Sequence, residues 1–226
     1  MSEVTQDYIV DFLSTIQPIS NPFLLALEEE AHRNRVPIIS FEVKSLLEVL
    51  LSMHQPKKIL EIGTAIGYSS ILMSQYLAKN GSITTIDRYP FMIEQAKKNI
   101  ARANLEDIIT LLEGDAEDIL PTLEPAFDFI FMDAAKAQYH VFLPYCVSLL
   151  RPGGILIADN VLNKGMIAQS RVDVPRRHRT THKRLRNFIW DVYHHPELKS
   201  SILSIGDGIA LCHKTKLNEE NNYEKQ

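Results

Sequence analysis

Between residues 57 and 160 the chain alternates short, continuously apolar runs with amphipathic ones, and each apolar run leads into glycine, acid or amide residues. Lys57–Gly63 (KKILEIG), Ser82–Asp87 (SITTID), Ile108–Leu112, Phe127–Asp133 (FDFIFMD) and Gly153–Asn160 (GGILIADN) read as strands. Ser69–Leu77, Phe91–Ala103 and Val141–Leu150 read as the helices between them. A strand that is apolar at every position is buried on both faces. The pattern therefore predicts an α/β fold with a parallel sheet, helices on both faces and right-handed crossovers. The end of the chain departs from it. Ser201–Ile205 and Ile209–His213 flank Gly206-Asp207-Gly208, which predicts an antiparallel hairpin.

The segments around this core are simpler. Leu24, Leu25, Leu27 and Ala31 fit one face of a helix that starts at Pro22 after Asn21, and Leu46, Leu47, Val49, Leu50 and Met53 fit one face of another. We expect one domain over residues 1–216, with N-terminal helices in 1–55 and the core in 56–216, followed by a polar flexible tail, 217–226. Met1–Asp11 is too acidic and polar to be expected to act as a secretory leader, no apolar run reaches the length of a membrane span, and the two cysteines, Cys146 and Cys212, sit in apolar surroundings without metal-ligand spacing. These features predict a cytoplasmic protein with reduced, buried thiols.

In an open α/β sheet, ligands bind beyond the carboxyl ends of the strands. After the first strand, Gly63 and Gly67 permit a tight turn and a close backbone approach. Their spacing is neither the dinucleotide fingerprint nor a phosphate loop. Glu61, at the floor of that loop, suits a ligand carrying an ammonium. Asp87, at the second tip, can accept from both hydroxyls of a ribose. Asp115, after the third strand, can accept from an adenine amino group, with Ala116 leaving room for the ring, and serves equally well as a helix N-cap. The fourth and fifth tips carry Asp133, with Lys136 three residues on, and Asp159-Asn160. Two carboxylates and an amide at neighbouring tips can converge on a hard cation such as magnesium or manganese.

Charge is unevenly placed. The chain carries −4, yet Arg171–Trp190 holds six arginines and Lys183 against Asp173, a net +6 that leaves −10 elsewhere. A helix beginning after Pro175 would bury Leu185, Phe188, Ile189 and Val192. Arg176, Arg177, Arg179, Lys183, Arg184 and Arg186 then spread over the remaining surface. A solvated helix face usually mixes signs, so the segment reads as a surface that tracks phosphates.

Together, E-I-G-T-A-I-G-Y-S, T-T-I-D, G-D-A, F-M-D-A-A-K, A-D-N and the closing G-D-G resemble the metal-dependent class I O-methyltransferases related to catechol and caffeoyl-CoA O-methyltransferases, over about residues 35–214. The resemblance implies a Rossmann-like seven-stranded sheet, mostly parallel, with an antiparallel C-terminal hairpin. It implies that Ile39, Glu61, Gly63, Ser69, Asp87, Asp115, Ala116 and Asp133 hold S-adenosylmethionine. It also implies that Asp133, Asp159 and Asn160 hold magnesium or manganese, that Lys136 is the general base and that the protein is a homodimer. V-P-I-I at 36–39, R-R-H-R-T-T-H-K-R-L-R-N-F, H-H-P-E-L and I-G-D-G-I-A are similar to bacterial tRNA 5-hydroxyuridine methyltransferases. That similarity implies an anticodon-loop acceptor bound through the basic helix. A catechol- or caffeoyl-type phenol as acceptor, and a non-catalytic RNA-binding module, are the alternatives.

Overall fold

The computed structural model describes residues 5–18 and 21–215. The expected tail, 217–226, lies outside the described residues. Seven strands, β1 (Lys58–Ile62), β2 (Ser82–Asp87), β3 (Ile109–Glu113), β4 (Phe127–Met132), β5 (Leu150–Ala158), β6 (Leu198–Leu203) and β7 (Ile209–Lys214), form one sheet in the order β3-β2-β1-β4-β5-β7-β6. β1 to β5 pair in parallel; β7 pairs antiparallel with β5 and with β6. The chain order reverses between β1 and β4, the switch point at which a crevice opens over the carboxyl ends of such a sheet.

The period of two along the strands sorts side chains between two cores. Leu60, Ile62, Ile130, Met132, Leu156 and Ala158 face one, while Ile59, Phe129, Phe131 and Ile157 face the other. The first core is closed by α6 (Ala116–Ile119), α7 (Tyr139–Leu149) and α8 (Arg179–His194). The second is closed by α2 (Pro22–Asn34), α3 (Phe41–His54), α4 (Tyr68–Ser74) and α5 (Pro90–Arg102). Local chemistry starts these helices. The Asn21 side chain accepts from Phe23 N, Ser40 from Val43 N and Asp115 from Glu117 N. No helix among the described residues is long and apolar enough to cross a membrane.

Three expectations need correction. Leu25 is exposed, and so are Val49 and Met53; the buried stripe of α3 is Val43, Leu47 and Leu51, an i, i+4, i+8 line narrower than the run of apolar residues. β5 begins at Leu150 rather than Gly153, because the register with β4 shifts between Phe127↔Leu150 and Phe129↔Ile155, and Gly153 takes a φ of 86° in the bulge. The basic segment starts as a 3-10 turn, Arg176–His178, before α8. A first helix, α1 (Asp7–Thr15), buries no residue and exposes Tyr8 and Phe12, with Ile16 exposed just after it. Both cysteines are free and buried, as expected.

Candidate functional site

Backbone hydrogen bonds carry the parallel ladder one residue past each strand. Gly114 N donates to Asp87 O, Gly63 N to Ile86 O, Asp133 N to Ile62 O and Asp159 N to Met132 O, each at 2.9 Å. The loops at neighbouring tips are thereby locked side by side, about one strand spacing (~4.8 Å) apart. Gly63 is required in this row: its φ is 105°, and a Cβ there would lie 2.1 Å from Asp133 O.

A cavity of about 340 Å3 opens over β1, β2 and β3, with Gly63, Asp87, Asp115, Ala116 and Asp133 in its wall. Five predicted residues thus meet at one cavity. Met92 and Phe142 add apolar wall that the sequence reading missed. Asp87 Oδ2 accepts from Ala65 N and Oδ1 from Tyr89 N, both at 2.9 Å. Each oxygen keeps a lone pair for a ligand. Asp115 caps α6 through Glu117 N (3.0 Å) and pairs with Arg88 Nη1 (2.5 Å). Those contacts hold its carboxyl below the ordinary range, the α6 backbone hydrogen bond contributing most.

Three predicted residues lie off the wall. Glu61 is fully buried beneath the cavity, where Ser69 Oγ and Thr85 Oγ1 donate to it at 2.5 Å and Ser70 Oγ donates to it as well. Burial pushes its carboxyl up to about 7 against the pull of those three hydroxyls. Ser69 therefore meets Glu61 and not the cavity. Ile39 packs in the core under α2 and α3, and Pro37 takes the place on the wall.

Beside the cavity, Asn160 Nδ2 donates to Asp133 Oδ1 at 3.2 Å and Asn160 N to Asp159 Oδ1 at 2.6 Å, with Asn160 at a φ of 62°. Burial raises both carboxyls, and the charge of Asp133 raises Asp159 further. Among the described residues no group of three or more His, Cys, Asp or Glu side chains is gathered for a metal; this set is two carboxylates and an amide. A hard dication fits it: the donors are oxygens, and a positive ion relieves the repulsion of two buried acids. Tyr139, absent from the sequence reading, donates from its buried hydroxyl toward Met132 O (3.2 Å) and Asp159 O (3.0 Å), tying the two tips together. Lys136 Nζ donates to Asp207 Oδ2 at 3.0 Å and to Asn163 Oδ1 at 3.4 Å. Asp207 was visible in the sequence only as part of the hairpin turn.

The basic segment divides in two. Arg179 Nε donates to Val174 O (2.9 Å), Arg184 Nη1 to Ala137 O (3.3 Å) and Arg186 Nη1 to Ile167 O (2.9 Å), so these three brace loops of the fold. Arg176, Arg177 and Lys183 are exposed, and Lys183 lies between two clefts of about 340 and 410 Å3 that share Arg171 and Asn187. A larger cavity, about 780 Å3, lies between α1 and α3 and contains none of the predicted site residues.

A family model described as O-methyltransferase matches residues 17–215. A catechol O-methyltransferase from Niastella koreensis is 37% identical over 171 residues, 73% of this chain and 76% of that one. A caffeoyl-CoA O-methyltransferase from Populus kitakamiensis is 32% identical over 174 residues, 74% of each chain. Among solved structures, an O-methyltransferase from Bacillus cereus in complex with SAH aligns with a TM-score of 0.81 at 25% identity, covering 92% of this chain and 97% of that one. The O-methyltransferase TomG from Streptomyces achromogenes, in complex with SAM, aligns with a TM-score of 0.80 at 26% identity, covering 92% and 96%.

Proposed function

The chain belongs to the O-methyltransferase family, and from that premise we propose that it moves a methyl group from S-adenosylmethionine to the 5-hydroxyl of 5-hydroxyuridine in a tRNA anticodon loop. The observation that carries the reaction is the adjacency of the cavity over β1–β3 to the Asp133–Asp159–Asn160 cluster at the next two tips. Cofactor-bound structural relatives support the choice of methyl donor.

The residues divide the work. Asp87 accepts from the ribose hydroxyls, Asp115 from the adenine amino group, and Ala116 leaves space for the ring. Gly63 lets the backbone pass close to the donor. Glu61, with Ser69, Ser70 and Thr85, shapes the loop from below. Asp133, Asp159 and Asn160 would hold magnesium or manganese, which would supply Lewis acidity that lowers the pKa of the acceptor hydroxyl. The hydroxyl oxygen attacks the methyl carbon in line, the carbon–sulfur bond breaks, and the sulfonium leaves as a neutral thioether. The hydroxyl proton passes to Lys136 Nζ, the general base in this reading. Asp207 and Asn163 fix where that nitrogen points.

The basic segment favours RNA over a free phenol, because a small neutral phenol gains nothing from a +6 surface, while unstacked loop bases can enter a pocket without duplex opening. A catechol- or caffeoyl-type phenol is the second reading, favoured by the names of the relatives. Nucleoside mass spectrometry of tRNA incubated with protein, S-adenosylmethionine and magnesium decides between them: 5-methoxyuridine is expected. Persistence of 5-hydroxyuridine beside rapid turnover of a catechol would establish the second reading. We further propose a cytoplasmic homodimer, supported by the free buried thiols and by the apolar residues left exposed on and beside α1 and α3, Phe12, Ile16 and Met53 among them.

A further inference from the structure

α8 carries a second feature on its solvent side. Its buried face is Leu185, Phe188 and Val192 with His182. Lys183, Asn187, Trp190 and His194, at spacings of four, three and four, line up on the opposite side, and all four are exposed. The basic end of this line meets Arg171 and the two clefts that flank Lys183. At the other end stands Trp190, the single tryptophan of the chain, 64% exposed. Tryptophan is seldom left so open unless its ring has a partner to meet.

The indole is also held still. His194 Nδ1 donates to Trp190 O at 2.8 Å, which lays the imidazole against one indole face, ring centroids 3.8 Å apart and planes at 15°. The neighbouring Tyr193 hydroxyl accepts from Ile202 N at 3.0 Å, tying this end of α8 to β6. One indole face is thus covered and fixed, and the other is left open. Lys183 and Trp190 are seven residues, or ~10 Å of helix, apart. Asp191 is the only acid in α8.

Resting on the RNA reading above, we infer that this line is a binding strip for single-stranded RNA outside the catalytic cavity: Arg171, Lys183 and Asn187 hold backbone phosphate, and the open face of Trp190 stacks on a nucleobase. A cationic groove leading to an aromatic platform is what a single strand requires, since each nucleotide offers a phosphate and a flat ring. A membrane surface fits less well. The apolar face of α8 is buried in the protein, so a lone indole remains to enter a lipid interface. A second copy docking this strip on itself would oppose like charges.

Because Trp190 is the sole tryptophan, its emission reports this place alone. A labelled anticodon stem–loop should quench it saturably, in step with the anisotropy of the label and less at high salt. Trp190→Ala should weaken binding roughly tenfold, Trp190→Phe should recover part of the loss, and S-adenosylmethionine affinity and melting temperature should stay unchanged in both. If the stem–loop binds by anisotropy while Trp190 emission is flat and Trp190→Ala binds like wild type, the strip is overturned and the RNA reading stands. If the stem–loop fails to bind at all, both fall. If anionic phosphatidylserine vesicles, rather than RNA, shift the emission to the blue, the surface is a membrane contact and the inference is overturned.

Discussion

Lys136 Nζ lies 3.0 Å from Asp207 Oδ2, so the loop after β4 is joined to the turn between β6 and β7 by one ion pair. Asp207 also accepts from Lys164 N through its other oxygen. The carboxylate can therefore do two things: it shapes the turn, and it aims the lysine toward Asp133 and Asp159. Asp207→Asn keeps an acceptor for Lys164 N and removes the charge. We expect kcat to fall by roughly tenfold, with cofactor affinity and melting temperature nearly unchanged, and the pH profile of kcat to move. An unaltered profile would leave Asp207 a turn residue only.

Gly63 admits no side chain. With its would-be Cβ 2.1 Å from Asp133 O and a φ of 105°, Gly63→Ala must push the β1 and β4 loops apart. The expected cost is roughly 3 kcal/mol of stability and at least tenfold in S-adenosylmethionine affinity. Urea unfolding and calorimetry measure the two separately.

Glu61 makes stability depend on pH. Its buried carboxyl titrates near 7, above the ordinary 4.5, so the folded chain holds that proton more tightly than the unfolded chain. The contribution is fully present below the unfolded value and is lost as pH rises through the folded one. Metal-free protein should lose on the order of 3 kcal/mol from this group between pH ~4.5 and ~7. Glu61→Gln should make the fall of the urea midpoint shallower; an identical slope in the variant would refute the assignment.

Asp159 faces Asp133 inside the protein, and burial together with the charge of Asp133 raises the Asp159 carboxyl. In chelator at pH ~8, Asp159→Asn should be at least as stable as wild type, because one of two repelling buried charges is gone. Magnesium should raise the melting temperature of wild type by about 3 °C and leave the variant unmoved. Equal shifts in both proteins would place the ion elsewhere.

The basic segment should separate by residue. Changing the exposed Arg176, Arg177 and Lys183 to Glu should weaken RNA binding and flatten its salt dependence without lowering the melting temperature. Arg179, Arg184 and Arg186 each donate to a loop carbonyl, so Glu at those positions should cost stability as well. Thermal melts beside filter binding distinguish the two sets.

Period and strand tips carried what could be read from the chain alone. Strands apolar at every position, such as FDFIFM, can only be buried on both faces, and that demanded a parallel sheet between helices. Acids and glycines at the ends of those strands marked Gly63, Asp87, Asp115, Ala116 and Asp133, and the sheet ladder brings these to one cavity wall. Apolar pattern served less well where apolar residues outnumbered the stripe that packs, so Leu25, Val49 and Met53 face outward. Contacts between residues far apart in the chain came only with the folded sheet. Glu61 reads as an open acid, yet Ser69, Ser70 and Thr85 close over it. Asp207 reads as a turn residue, yet it holds Lys136 from 71 positions away. Six basic side chains read alike, yet three are spent on loop carbonyls. Strand order and register set these pairings through long-range backbone hydrogen bonds, and no local spacing in the chain encodes which side chains that register will bring face to face.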